Sequence, residues 1–294
     1  MKKKYLLLIL PFVGLNSVVI IATLFQSIAI SLGYYPVIGL RHLTLSYYFA
    51  VFSDRYFVRS LIYSLYLGLV STVGALALGL VMAMALERVA GNHRWLARLF
   101  TVPITIPHII VALMIMQLLT QSGLVSRVAY YLHLISSIDT FPLLVNDHWG
   151  ISIIIVFLYK EIPYVAVTML AILRQLQSGY TSVARNLGAS RWQAFWHVTL
   201  PLVQPTLFTL FIILFCFTFA NFEVPYILGN PGNETIALTI YDQFLQPDLQ
   251  SRPAAFALNT ILSVICLAAT LLALLISRLL PGGKDRYQEW EKKW

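Results

Sequence analysis

The chain has 294 residues, of which 59% are hydrophobic and 11% charged. A soluble domain of this size carries about 25% charged residues, so a soluble fold would expose too much apolar surface; the mean hydropathy of +0.78 agrees. The net charge of +8 does not point to nucleic acid, because the basic residues lie in short segments between apolar stretches, as the positive-inside rule places them.

In chain order, Lys2 to Lys4 and the leucine-rich run behind them imitate a secretory signal. The apolar run continues over 5–32 with no small-residue cleavage site, so it is expected to remain as a membrane helix. Crossing the hydrocarbon core takes roughly 20 apolar residues. Five further stretches meet this: 59–86, 99–121, 150–173, 202–228 and 256–280. With the N-terminus in the cytoplasm, 14 of the 20 Lys and Arg residues fall on the inner side. Five lie outside (Arg41, Arg55, Arg59, Arg127, Arg252), and Lys160 lies within a span. This asymmetry predicts both termini inside. Cys216 and Cys266 sit in apolar stretches and read as packing residues. The outer loops carry Tyr34, Tyr35 and Trp149, which suit a membrane interface.

The predicted organisation is an N-terminal helix and outer loop (1–57), a five-helix core (58–280) and a cytoplasmic basic tail (281–294). The core includes an inner loop at 174–201. The fourth span contains Lys160 and Glu161 near mid-depth. A lysine there costs roughly 2.5–3.5 kcal/mol, so it must face protein or a wet cavity. Either Glu161 lines a solute path, or the Lys-Glu-Ile-Pro run marks a kinked, internally paired helix break; the second reading is favoured. Asn221 and Glu223, at the end of the fifth span, are further pathway candidates. His108 and His133 have no partners at ligand spacing, so neither a metal site nor a catalytic group is expected.

The inner loop is expected to be helical over 181–197, with Ala184, Leu187, Phe195 and Val198 sharing an apolar surface. Gly188 in its middle marks a bend or a close backbone approach. On physics alone this is also an interfacial helix on the inner leaflet. The residues 179–201 nevertheless resemble the signature of permease subunits of binding-protein-dependent, ATP-driven importers of the type I ABC group. That signature is Glu-Ala-Ala, three residues, Gly, nine residues, Ile-x-Leu-Pro. Ser182, Val183 and Ala184 occupy the first place, Gly188 follows at the right spacing, and Val198 to Pro201 close it. Ser182 stands where the family has glutamate, so the charge contact it implies is lost or supplied by Arg185. Two supporting patches are similar to the same family. One is 99–112, with Pro103 and Pro107. The other is 219–241, which resembles the subgroup serving polyamines, ferric iron, thiamine, sulfate and related solutes.

The resemblance implies an all-α membrane protein of six transmembrane helices with a cytoplasmic coupling helix between the fourth and fifth. It implies docking on a cytoplasmic ATPase through Ser182, Ala184, Arg185, Gly188, Ala189, Phe195 and Pro201. It also implies a second permease subunit, identical or homologous, an extracytoplasmic solute-binding protein, and a place in the bacterial inner membrane among its lipids. The chain has no Gly-x-x-x-x-Gly-Lys-Ser/Thr phosphate loop. It is therefore expected to bind no cofactor and to be no enzyme, with ATP used by its partner. The solute expected from the third patch is a polyamine or another small charged solute. The alternatives are a secondary transporter or channel acting without an ATPase, which would want broken helices in repeats, and a membrane-embedded enzyme, which would want paired catalytic groups that the sequence lacks.

Overall fold

The computed structural model describes residues 2–89, 95, 99–176 and 180–279. The basic tail at 281–294 and the inner-side residues Arg94 and Arg98 lie outside them. The described residues form helices: α1 (Lys2–Ser31), α2 (Ser46–Ser53), α3 (Arg55–Val89), α4 (Val102–Thr105), α5 (His108–Leu119), α6 (Leu124–Tyr131), α7 (Ile151–Leu176), α8 (Tyr180–Asn186), α9 (Arg191–Ala194), α10 (Leu200–Phe219), α11 (Glu223–Leu228), α12 (Ile236–Leu245) and α13 (Arg252–Leu279). Six stretches are long and apolar enough to cross a membrane: Ile9–Ser31, Arg55–Glu87, His108–Tyr131, Ile151–Arg174, Arg191–Phe219 and Leu249–Ser277. They correspond to the six predicted spans, with the third and fifth displaced at both ends and the sixth starting earlier.

The third span does not run as one helix from residue 99. Pro107 cannot donate a backbone hydrogen bond, and the residue before a proline is pushed out of the helical region. Ile106 accordingly has ψ 129, and α4 stops there before α5 starts at His108. The fifth span likewise ends at Phe219 rather than at 228. The chain turns at Ala220 (φ −92, ψ 2) and continues as the separate short helix α11.

The chain divides into two compact units, Met1–Ser60 with Ile236–Ile265 and Leu61–Thr235 with Cys266–Trp294. The sequence division keeps 236–265 with the core, whereas the structure groups it with the N-terminal segment. In the first unit, Thr239 Oγ1 donates to Ser60 Oγ at 3.2 Å. The Arg252 guanidinium lies 3.9 Å from the centre of the Phe244 ring, a cation–π contact.

The second unit is built around α7, whose apolar stretch is 56% buried. Two hydrophobic clusters lie along it. One joins Tyr63 and Leu67 of α3, Val111 and Ala112 of α5, Phe157 of α7, and Val224 and Leu228 of α11. The other joins Leu80 and Ala83 of α3, Val165 and Met169 of α7, and Val203, Leu210 and Leu214 of α10. Helices in lipid gain no hydrophobic force from one another and associate by close packing at small residues. Gly79 supplies one such place: a Cβ there would lie 2.6 Å from the Val165 side chain.

Candidate functional site: the inner loop and the polar groups within the spans

The inner loop folds as two helices rather than the single helix expected over 181–197. Gly188 adopts φ +92. The Ala189 amide donates to Ala184 O at 3.0 Å and the Gly188 amide to Arg185 O at 3.0 Å. This pair of bonds is a Schellman termination, in which a left-handed residue closes the last turn. Two residues on, Ser190 starts the next helix. Its Oγ accepts from the Gln193 amide (3.2 Å), and Gln193 Oε1 accepts from the Ser190 amide (2.9 Å). This reciprocal capping box is a helix-start signal. The four residues 187–190, tied by these caps, therefore separate α8 from α9.

From Arg191 the chain does not stop at Pro201. α9 passes through a π-helical turn (Phe195–Thr199) directly into α10. The Leu200 amide donates to Phe195 O, one residue wider than an α turn. Pro201 has no N–H to give, and a widened turn is a recognised way to carry a helix past such a residue. Arg191–Phe219 is thus one span, and Phe195 and Pro201 belong to it rather than to a free loop. Phe195 packs on the α3–α7–α10 cluster.

The exposed part of the loop is α8. Tyr180 (64% exposed), Val183 (56%) and Leu187 (83%) recur at i, i+3 and i+7, so they share one face. Leu187 was expected to share apolar surface with Ala184 and Phe195, but stands free while those two are half-buried. Arg185 is exposed and Ala189 half-buried; Ser182 lies on α8, its side chain outside the described set. Trp192 and Trp196 extend the exposed apolar surface onto α9 and the π turn, with ring centroids 5.4 Å apart.

Within the spans, α7 runs unbroken through Pro163, so the expected helix break at Lys-Glu-Ile-Pro is absent. The break lies instead in the neighbouring third span, and Lys160 serves it. Pro107 leaves Pro103 O without its helical donor, and the interruption frees the carbonyls that follow. Lys160 Nζ donates to Pro103 O (2.9 Å), Ile104 O (2.9 Å) and Ile106 O. An ammonium has three donors and no acceptor, so all three are used. Glu161 points elsewhere. Its Oε1 accepts from Thr218 Oγ1 of α10 at 2.7 Å, while Oε2 is buried without a partner. At 3% exposure the carboxyl is enclosed by protein in this conformation.

At the other end, Asn221 is an N-terminal cap: its Oδ1 accepts from the Val224 amide at 3.0 Å. Glu223 is exposed in the first turn of α11, where a negative charge favours the helix dipole. Sequence reading missed the residues that tie these loops together. Asp147 accepts from the Trp149 and Ile151 amides at 2.9 and 2.8 Å, starting α7. Asn230 Nδ2 donates to Asn146 O at 2.7 Å, and Asn233 Nδ2 to His148 O at 3.1 Å. The Asn-rich composition of 229–235 was the available signal. The His108 ring lies tilted against Phe217, centroids 4.8 Å apart, and His133 closes α6 with φ 57. Cys216 and Cys266 are free and half-buried; Cys216 Sγ lies 3.8 Å from Cys266 O. Among the described residues no three His, Cys, Asp or Glu gather as a metal site.

Six apolar helices long enough to cross a membrane, with a capped helical loop between the fourth and fifth, define a polytopic membrane protein. The chain belongs to the family of binding-protein-dependent transport system inner membrane components, whose model matches residues 75–280. It is a multi-pass protein of the bacterial inner membrane. It is 27% identical over 201 residues to the ferric transport system permease protein FbpB of Actinobacillus pleuropneumoniae, covering 65% of this chain and 27% of that protein. It is 30% identical over 200 residues to the sulfate transport system permease protein CysT of Escherichia coli (strain K12), covering 67% and 66%. The match therefore spans about a quarter of the first relative's length (27%) and about two thirds of the second's (66%). The fold is that of a crystal structure of a bacterial ABC transporter involved in import of the acidic polysaccharide alginate. The TM-score is 0.72 at 19% identity, over 92% of this chain and 98% of that one. A second crystal structure, of bacterial alginate ABC transporter in complex with alginate pentasaccharide-bound periplasmic protein, gives 0.70 at 19% identity over 92% and 96%.

Proposed function

We propose that the chain is the permease subunit of an ATP-driven importer, forming half of a solute pathway whose second half is another permease, identical or homologous. Its termini lie in the cytoplasm, α8 docks on a separate ATPase that hydrolyses ATP, and a solute-binding protein delivers solute to the opposite face. The observation that carries this reading is the uncovered stripe of Tyr180, Val183 and Leu187, displayed at the position of the family signature. A cytoplasmic loop in water gains nothing by displaying Leu187 unless a partner covers it. The solute class is a small charged solute. A polyamine within that class rests on the resemblance of 219–241, while the relatives above carry ferric and sulfate names.

The test is co-purification of the chain with its candidate ATPase from membranes. Leu187→Glu suits it because the side chain is 83% exposed, so little folding energy is at stake. Hot-spot residues cost 2 kcal/mol or more on substitution, so retention should fall by more than about tenfold with the variant still inserted. Gly188→Glu, which adds backbone strain, should act in the same direction. Undiminished retention of Leu187→Glu would remove α8 as the docking element. ATP-independent solute movement by the purified chain would remove the importer reading itself.

A further inference from the structure

At the end of α1 remote from the N-terminus, the chain folds back on itself in a small, well-tied cap. The Tyr35 amide donates to Leu40 O at 2.8 Å and the Leu40 amide to Tyr35 O at 3.2 Å; the Thr44 amide returns to Leu32 O at 2.7 Å. Ser31 Oγ and Tyr48 Oη meet at 2.7 Å. Between this cap and α1 lies an open groove of about 630 Å³. Its floor is Phe25, Ala29 and Ile30, and its mouth carries Arg41 and His42. None of the lining residues is acidic. Both basic side chains are exposed, and neither is hydrogen-bonded or ion-paired to another described residue.

The groove continues into a second feature. Val18 (67% exposed), Ile21 (66%) and Phe25 (75%) stand in line with Ala29 at i, i+3, i+7 and i+11, on one face of α1. Eleven residues at 1.5 Å each give about 16 Å, which matches one leaflet of a hydrocarbon core roughly 30 Å thick. Arg41 and His42 lie in the cap that follows the last span residue, Ser31, beside Tyr34 and Tyr35, which suit a headgroup interface. A cationic mouth, an apolar floor and a leaflet-length apolar track make up the shape and chemistry of an amphiphile with a negative head.

We propose that this groove is a binding site for one anionic phospholipid, its phosphate held by Arg41 and His42 and one acyl chain laid along Ala29, Phe25, Ile21 and Val18. The leaflet is the outer one under the orientation proposed above, but occupancy depends on neither the ATPase nor the solute. The site fastens the outer cap to lipid of defined charge.

The test uses the full-length chain in vesicles containing trace phosphatidylglycerol or phosphatidylcholine with a photoreactive group in one acyl chain. Cross-links are mapped by mass spectrometry. One basic residue near a membrane surface is worth about 1 kcal/mol toward an anionic lipid. Phosphatidylglycerol should therefore label residues 18–43 about fivefold more than phosphatidylcholine. Arg41→Gln should bring the ratio close to one, Arg41→Lys should keep it, and Arg55→Gln, outside the groove, should leave it unchanged. Equal labelling by the two lipids in the native chain overturns the proposal. So does a ratio insensitive to Arg41→Gln, or absence of lipid labelling at residues 18–43.

Discussion

Lys160 shows how one residue solves a problem created by others. Two prolines four apart give the third span its interruption, and the interruption strands carbonyls where there is no water to solvate them. Each unsatisfied buried acceptor costs about 1–3 kcal/mol. Lys160→Met should therefore lower stability by about 3 kcal/mol or more, read as a fall in the unfolding midpoint and in inserted yield. Lys160→Arg should recover part of this, since a planar guanidinium offers enough donors but not an ammonium's three converging ones. A methionine variant as stable as the native chain would mean that the three carbonyls are satisfied some other way. The sequence announced that Lys160 must find a partner, because a charge at that depth demands one. It could not announce which, because the acceptors are backbone atoms 54 to 57 positions away and backbone atoms leave no mark in sequence. Glu161 is similar: its neighbour Thr218 is an ordinary residue of an apolar helix until the fold brings it within 2.7 Å.

At the scale of elements, the joint between α8 and α9 was partly legible, since Gly188 was read as a bend. Apolar periodicity argued for one helix, yet Gly188 followed by Ser190 and Gln193 spells a stop and a start in adjacent words. The local signals won because glycine inside a helix costs about 1 kcal/mol, while the left-handed turn at C′ and the capping box satisfy groups that the two helix ends would otherwise leave open. Gly188→Ala tests this without adding a side chain of consequence, since a Cβ there meets nothing within 4 Å. Only the positive φ is penalised, by about 1–2 kcal/mol. Amide exchange at Ala189 should speed up in Gly188→Ala and less so in Gly188→Asn, because asparagine tolerates this conformation better. Unchanged protection in the alanine variant would show that the left-handed residue is not what holds the turn.

For the whole molecule, the six spans were the most legible feature, since a bilayer dictates their length and dryness more strictly than a protein core dictates anything in water. Boundaries slipped at Pro107, where hydropathy continues across a broken helix, at Ala220, where apolar residues run on into α11, and at Arg191, where the loop helix runs straight into the fifth span. The grouping of α12 and the first half of α13 with the N-terminal unit was not readable, because it rests on contacts such as Thr239 with Ser60. The proposed orientation has a direct check. With Cys216 and Cys266 replaced by alanine, single cysteines at Val37 and Leu187, each 83% exposed, are challenged in intact cells with a membrane-impermeant thiol reagent. Position 37 should react at once and position 187 only after the membrane is opened. The reverse pattern would invert the topology.

The π turn at Phe195–Thr199 has a consequence for phase. Each residue of an α-helix advances its azimuth by about 100°, and a widened turn holds one residue more than the span needs. Deleting a single residue there would let the rod close into ordinary α-helix. Because the wide turn already absorbs the surplus residue within one turn, α8 and its stripe would keep their azimuth, whereas deleting a residue from an ordinary α turn would swing them round by about 100°. The π turn therefore lets the rod carry one residue more at the foot of the span without changing the direction in which the loop presents Leu187, so that chain length and the aim of the loop are separate settings of the same rod.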